Sequence, residues 1–254
     1  MADEHAVPED HPRATSLRSR ERLVDGIEAG LTSQHGLIAH GRGEAFDYLL
    51  GEETIPSART ACKTATAAML LADHPVVSVN GNVAAIVPEA VTSYATAVDA
   101  AIEVNLFHRS PERIAAIEAH LHDHGATNVL GRGADARLPG LSHDRAVVHE
   151  EGIYKADVVL VPLEDGDRAE ALGLMGKTEI VIDLNPMSRS SQVASIPVCD
   201  NIVRSLPLME SFARELQGSD RADLKRIVDE FDPDATREAA EETIRSGDLN
   251  GIGK

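Results

Sequence analysis

Residues 180–204 read IVIDLNPMSRSSQVASIPVCDNIVR, an apolar strand that stops at Asp183, Leu184 and Asn185 and is followed at once by Arg189 and Ser190. A second short apolar run then ends in Asp200 and Asn201. Carboxylates, amides and a guanidinium have the chemistry to hold hydroxyls and phosphate oxygens. In an open parallel sheet the carboxyl ends of the strands line the crevice where ligands bind, and a nucleotide is the commonest occupant. This stretch is therefore the first candidate for a site.

Three further groups carry chemistry. GLIAHGRGEAFDYLLGE, residues 36–52, sets His40, Arg42 and Glu44 among glycines just before an expected helix. Gly41 and Gly43 would let backbone approach a ligand, while helix-start amides and the planar fork of Arg42 would grip phosphate. A plain glycine-rich turn with a solvated Arg fits these residues equally well. VSVNGNVAA, residues 77–85, ends a strand in Asn80, Gly81 and Asn82, a place suited to orienting a small polar substrate. Asn and Gly also favour turns that bind nothing. PLEDGDR, residues 162–168, puts Glu164, Asp165 and Asp167 after a buried strand, where they would hold Mg²⁺ through waters or, the favoured single role, cap the next helix.

His120, His122 and His124 in HLHDHG raise a zinc reading, but histidines also favour helix C-termini, and that reading is preferred. No GxxxxGK[ST] or GxGxxG fingerprint is present, which argues against P-loop kinases and typical NAD dehydrogenases. No Ser-His-Asp or Cys-His arrangement follows from the spacing.

The elements that must position these groups alternate. A helix is expected over residues 16–29, with Leu17, Leu23, Val24 and Ile27 on one side and Gly30 as its cap. A second spans residues 56–72. VVSV ends in Asn80, Pro88 opens a helix, IEVNLF at 102–107 reads as a strand, and Ser110 with Pro111 starts a helix reaching His124. TNVLG, DVVLVPL, a helix around 168–175 and EIVIDL continue the alternation. Strands separated by helix-length segments imply right-handed crossovers, so the fold class is α/β, a Rossmann-like parallel sheet with helices on both faces. Residues 131–155 show little periodicity, and a loop of that length is usually functional or an oligomer contact. Acidic amphipathic helices are expected outside the sheet over 203–245. Residues 1–12 read as a mobile acidic arm, 13–245 as one domain with appended helices, and 246–254 as a flexible tail.

The 254 residues carry a formal net charge of −18, and only five of the 24 basic residues are Lys. Acid-rich, Lys-poor surfaces suit concentrated salt, where a Debye length of about 3 Å at 1 M mutes self-repulsion. The chain is thus expected to be salt-adapted. No basic face is visible for nucleic acid. Cys62 and Cys199 sit in apolar surroundings without CxxC spacing and read as buried reduced thiols of a cytoplasmic protein. No apolar run approaches the ~18 residues of a membrane span, and the polar, acidic first residues do not read as a signal peptide.

In order along the chain, GLIAHGRGEAFDYL, VVSVNGNVAA, EVNLF, VVLVPLEDGDR, IDLNPMSRS and VCDNIVR resemble the archaeal phosphopantothenate synthetase family, also called 4-phosphopantoate-β-alanine ligase, over residues 11–230. The resemblance implies a homodimer that joins 4-phosphopantoate to β-alanine with ATP and Mg²⁺, releasing AMP and diphosphate on the route to coenzyme A. It implies a nucleotide site of Arg20, Arg42, Asp183, Leu184, Asn185, Arg189, Ser190, Asn201 and Ile202. In that site Arg42 and Arg189 would hold phosphates, Asp183 or Asn185 the ribose, and the backbone near Asn201 and Ile202 adenine. AMP release implies an acyl-adenylate. His40, beside Arg42, is a candidate for the reacting centre or the pantoate phosphate, with a packed structural histidine as the other reading. Asn80, Asn82 and Asn105 are candidate substrate contacts, and no residue is assigned as a metal ligand. The alternatives are another ATP-using transferase such as a kinase, which would release ADP, and a nucleotide-binding regulator without turnover.

Overall fold

Short runs of Val and Ile bounded by turn residues become the strands of a six-stranded sheet. The structure, a computed structural model, describes residues 7–8, 10–163 and 166–247. The mobile-arm and tail readings fall mostly outside the described residues, and Glu164 and Asp165 lie outside them altogether.

Three helices precede the sheet: α1 (Ala14–Glu28), α2 (Gln34–Leu49) and α3 (Pro56–Leu71). Then follow β1 (Pro75–Val79), α4 (Gly81–Ile86), α5 (Pro88–Ala97), β2 (Ala101–Val104), α6 (Pro111–Asp123) and β3 (Val129–Leu130). After a small antiparallel pair, β4 (Ala136–Arg137) and β5 (Val147–Val148), the chain returns with β6 (Val158–Pro162), α7 (Gly166–Leu174), β7 (Thr178–Ile182), α8 (Arg189–Val193) and β8 (Ile196–Val198). α9 (Ile202–Leu216), α10 (Arg221–Asp229) and α11 (Pro233–Ser246) complete it.

The sheet order is β3-β2-β1-β6-β7-β8, with every pair parallel. From β1 the chain moves outward one way through β2 and β3, and from β6 the other way through β7 and β8. That reversal creates a topological switch point at β1 and β6, where the loops diverge and a crevice opens at the carboxyl ends.

Alternate residues of each strand feed two cores, as the period of two requires. Val77, Val79, Leu160, Ile180 and Ile182 pack under α3, α5, α6 and α9. Val76, Val159 and Val161 face Leu138, Leu141, Val148, Ile153 and Leu172. The second face is therefore covered by α7, α8 and the segment after β3, where helices alone had been expected. α10 and α11 lie outside as expected, whereas α9 places Leu206, Met209 and Phe212 in the main core. Val24, expected on the packed side of α1, is 48% exposed, while Leu23 is fully buried.

The weakly periodic stretch after β3 is held by buried polar side chains from the sheet. Glu103 accepts from the amides of His149 (3.0 Å) and Ile153 (2.7 Å). Asn105 Nδ2 donates to the carbonyls of Arg145 (3.1 Å) and Val147 (3.2 Å). Lys177 Nζ donates to the carbonyls of Tyr154 (2.7 Å) and Ala156 (2.6 Å). Such contacts satisfy loop backbone that would otherwise be buried without partners.

The histidines of α6 sit in its last turn, where His122 Nδ1 donates to Ala126 O and His124 Nδ1 to His120 O, both at 2.7 Å. Among the described residues, no cluster of three His, Cys, Asp or Glu side chains is arranged to hold a metal ion, so the zinc reading gains nothing. Cys62 and Cys199 are free and buried, and burial raises both thiols, Cys199 to about 12. No described helix is long and apolar enough to cross a membrane.

Candidate functional site

A cavity of about 700 Å³ occupies the switch-point crevice, between the carboxyl ends of the strands and the inner side of α2. Its size falls in the range of small-molecule sites. Asn80 is the keystone. Its Oδ1 caps α4 by accepting from the amides of Asn82 (3.0 Å) and Val83 (3.1 Å), and its Nδ2 donates to the carbonyls of Pro162 and Leu163, each at 3.2 Å. One amide thus ties the end of β1 to the end of β6. Asn82 Nδ2 donates to Gly36 O at 2.9 Å and steadies the start of α2. Both residues line the cavity, but their side chains bind protein.

The wall facing the sheet corrects one expectation. The HGRG segment lies within α2, so Gly41 and Gly43 are interior helical positions and no turn precedes a helix there. At Gly36 a Cβ would fall 2.3 Å from Asn82 Oδ1, so only glycine permits that approach. At Gly43 it would meet Leu184 at 3.6 Å across the cavity. Nothing in the structure explains Gly41. α2 carries His40, Arg42 and Phe46 to the cavity. Burial lowers the His40 imidazole below its usual value, with Glu44, 3.8 Å away, partly opposing.

The opposite rim follows β7 and β8. Asp183 accepts from the Asn185 amide (3.0 Å) and from Ser188 Oγ (2.5 Å); burial raises its carboxyl, while these bonds and the charge of Arg42 pull it back. Ser188 caps α8 by accepting from Ser191 N at 3.1 Å, which presents Arg189 and Ser190 to the cavity. Arg189 pairs with Glu170, an exposed contact that a ligand phosphate would readily outcompete. Asn201 and Ile202 open α9 on the same side.

Eleven of the thirteen residues singled out from the sequence line this cavity: His40, Arg42, Asn80, Asn82, Asp183, Leu184, Asn185, Arg189, Ser190, Asn201 and Ile202. Two do not. Arg20 Nε donates to Glu44 at 2.8 Å between α1 and α2, and Asn105 is wholly buried beneath the β4–β5 segment.

The sequence reading missed a second cationic end formed by His35, His108, Arg113 and Arg145. Arg113 Nε donates to Leu31 O at 3.0 Å, and burial, then the charge of Arg145, lower its guanidinium. Half-buried Arg113 and buried Arg145 thus bring two guanidiniums to this end of the cavity, groups whose chemistry suits an anion. Arg113 stands in the first turn of α6 and Arg145 in the aperiodic segment, so no local motif joins them. Phe107 stacks on His143 (5.1 Å between rings), whose Nε2 meets Asp167 at 2.9 Å. Asp167 thus braces that segment against α7. Burial alone would raise its carboxyl, and the His143 contact and charge lower it.

A doubly wound α/β fold with a cavity at its switch point is the architecture in which nucleotide and other small-molecule sites are commonly found. The model of the phosphopantothenate/pantothenate synthetase family matches residues 57–247. A 4-phosphopantoate–β-alanine ligase of Thermococcus onnurineus is 53% identical over 227 residues, covering 89% of this chain and 87% of the relative. Enzymes of the same name from Methanosarcina mazei (52% over 226 residues, 89% of each) and Methanospirillum hungatei (51% over 222 residues, 87% and 90%) are similarly close. The chain belongs to the phosphopantothenate/pantothenate synthetase family and is a ligase.

Proposed function

We propose that this ligase condenses 4-phosphopantoate with β-alanine, using ATP and releasing AMP and diphosphate, in coenzyme A biosynthesis. The observation that carries this reading is one cavity lined by Arg42 and Arg189 as well as by Arg113 and Arg145, supported by relatives named for that reaction. The end formed by Arg42, Asp183, Leu184, Asn185, Arg189, Ser190, Asn201 and Ile202 takes ATP. Arg42 and Arg189 hold its phosphates, Asp183 or Asn185 its ribose, and the first turn of α9 its base. Arg113 and Arg145 take the phosphate of 4-phosphopantoate, which directs its carboxylate toward the middle of the cavity.

A carboxylate is not an acyl donor until it is activated. The pantoate carboxylate attacks the α-phosphorus and diphosphate leaves; the β-alanine amine then attacks the mixed anhydride, forming the amide and releasing AMP. The chain contributes mainly positioning and electrostatic stabilisation of developing charge. His40 faces the reacting centre. Mg²⁺ would accompany the nucleotide phosphates, which commonly supply several of its ligands.

The exposed apolar side chains Val24, Ile38, Tyr48 and Leu49 on α1 and α2 form the face on which a second copy packs, giving a homodimer. Residues 13–245 act as one cytoplasmic, salt-adapted ligase unit. Light scattering in concentrated KCl tests the dimer, and a monomer there refutes it. The reaction is tested by an end-point assay with MgATP, 4-phosphopantoate and β-alanine, omitting each in turn. AMP and phosphopantothenate formed only with both acids support the ligase; ADP indicates a kinase, and binding without product a regulator.

A further inference from the structure

Behind the nucleotide end of the cavity, and outside its lining, lies a buried ionic network. Asp47 on α2 is 4% exposed and Asp200, just past β8, 1%. Arg204 on α9 bridges them: its Nη2 donates to Asp47 Oδ1 and to Asp200 Oδ1, both at 2.6 Å, and its Nε donates to Asp200 Oδ1 at 3.0 Å. Each carboxylate has a further task. Asp47 Oδ2 accepts from Asn201 Nδ2 at 2.7 Å, and Asp200 Oδ1 accepts from the Asn201 amide at 2.7 Å. Thr54 Oγ1 donates to Asp200 Oδ2 at 2.6 Å, tying in the approach to α3. Asn201 Oδ1 meanwhile caps α9 by accepting from Val203 N at 3.2 Å.

We infer that Arg204 is a positioning residue for nucleotide binding: by clamping Asp47 to Asp200 it fixes the turn of Asn201 and Ile202, and the spacing of that turn from Arg42 on α2, without itself touching the ligand. The fork of a guanidinium matters here, because one side chain must satisfy two carboxylates on different elements in set directions. An ammonium preserves the charge but loses the fork. Asp47 is the one buried residue of α2, and the bridge adds to the contacts of half-buried Leu37 and Phe46, of Asn82 at Gly36 and of Ser16 and Arg20 at Glu44 in setting the distance of α2 from the opposite rim. The inference rests on the ATP reading of this end of the cavity.

The test is Arg204→Lys, examined with Asp47→Asn, which keeps an acceptor for Asn201 but weakens the bridge from the α2 side. The ATP KM and the calorimetric Kd for MgATP are expected to rise about tenfold in Arg204→Lys, as for loss of one charge-assisted contact, and less in Asp47→Asn. The KM for 4-phosphopantoate and kcat at saturating ATP should stay within about twofold, the split that marks loss of binding common to ground and transition states. Wild-type ATP binding combined with unchanged ATP KM and Kd in the variants, even with lowered thermal stability, would overturn the inference and leave Arg204 a purely structural residue. A wild-type protein that fails to bind MgATP would overturn the ATP reading and the inference with it. Should Arg204→Lys fail to fold, Asp47→Asn alone decides between the two outcomes.

Discussion

Asn80 gives the sharpest test of the architecture, because the sequence makes it a candidate substrate contact and the structure gives its side chain four hydrogen bonds within the protein. In Asn80→Ala the lost helix cap costs about 1 kcal/mol. The carbonyls of Pro162 and Leu163 each lose a donor in a partly buried crevice, at roughly 0.5–1.5 kcal/mol apiece. The sum is about 2–4 kcal/mol, which for a chain of this length corresponds to a fall of roughly 5–12 °C in Tm. Asn80→Ser keeps a capping oxygen and loses the bridge between β1 and β6, so it should fall by roughly half to three-quarters as much. Calorimetry in concentrated KCl measures both, alongside substrate KM values. An Asn80→Ala protein melting within about 2 °C of wild type, with a sharply raised KM for 4-phosphopantoate or β-alanine, would refute the bracing role.

Three other outcomes are expected. Arg113→Lys should raise the KM for 4-phosphopantoate about tenfold with the ATP KM unchanged; an effect on ATP alone would reverse the assignment of the two ends. Gly36→Ala should cost roughly 1–3 kcal/mol by overpacking against Asn82 and Thr32, read as a lowered Tm, and normal melting would show that α2 shifts freely. Glu179 is buried, and its carboxyl is raised from 4.5 to about 7 by burial, with its own backbone amide and Ser195 opposing. The native state therefore holds this proton more tightly than the unfolded chain, and stability falls as pH rises from about 4.5 to 7. Glu179→Gln removes that loss, so its stability advantage should grow across this window and level off above it; an advantage independent of pH would refute the assignment.

The sheet was legible because its strands are short Val- and Ile-rich runs followed by turn residues, and the candidate residues at the ends of β1, β7 and β8 reach one cavity for the same reason. Where the reading missed, tertiary contacts outweighed local pattern. Glycine in a helix interior costs about 1 kcal/mol relative to alanine, so the glycines around His40 and Arg42 read as a turn before a helix, yet Gly36 is required by its approach to Asn82 and Gly43 lies across from Leu184. The segment after β3 lacks periodicity because Glu103, Asn105 and Lys177 hold it through its backbone, which leaves its own side chains free of pattern. Arg113 and Arg145 were missed because they stand 32 positions apart in the chain and only the packing of that segment brings them together.

The strand order divides the cavity between two structural halves. β7, β8 and α9, together with Arg42 of α2, carry the proposed nucleotide end, whereas β1, β2, α6 and the segment after β3 carry the proposed acid-phosphate end, and they meet at Asn80. Changes in the turn before α6 or in that aperiodic segment would alter which acid is accepted while leaving the energy-supplying half intact. Such a scaffold can diversify its acyl substrate by drift in one half, with the activation chemistry inherited unchanged in the other.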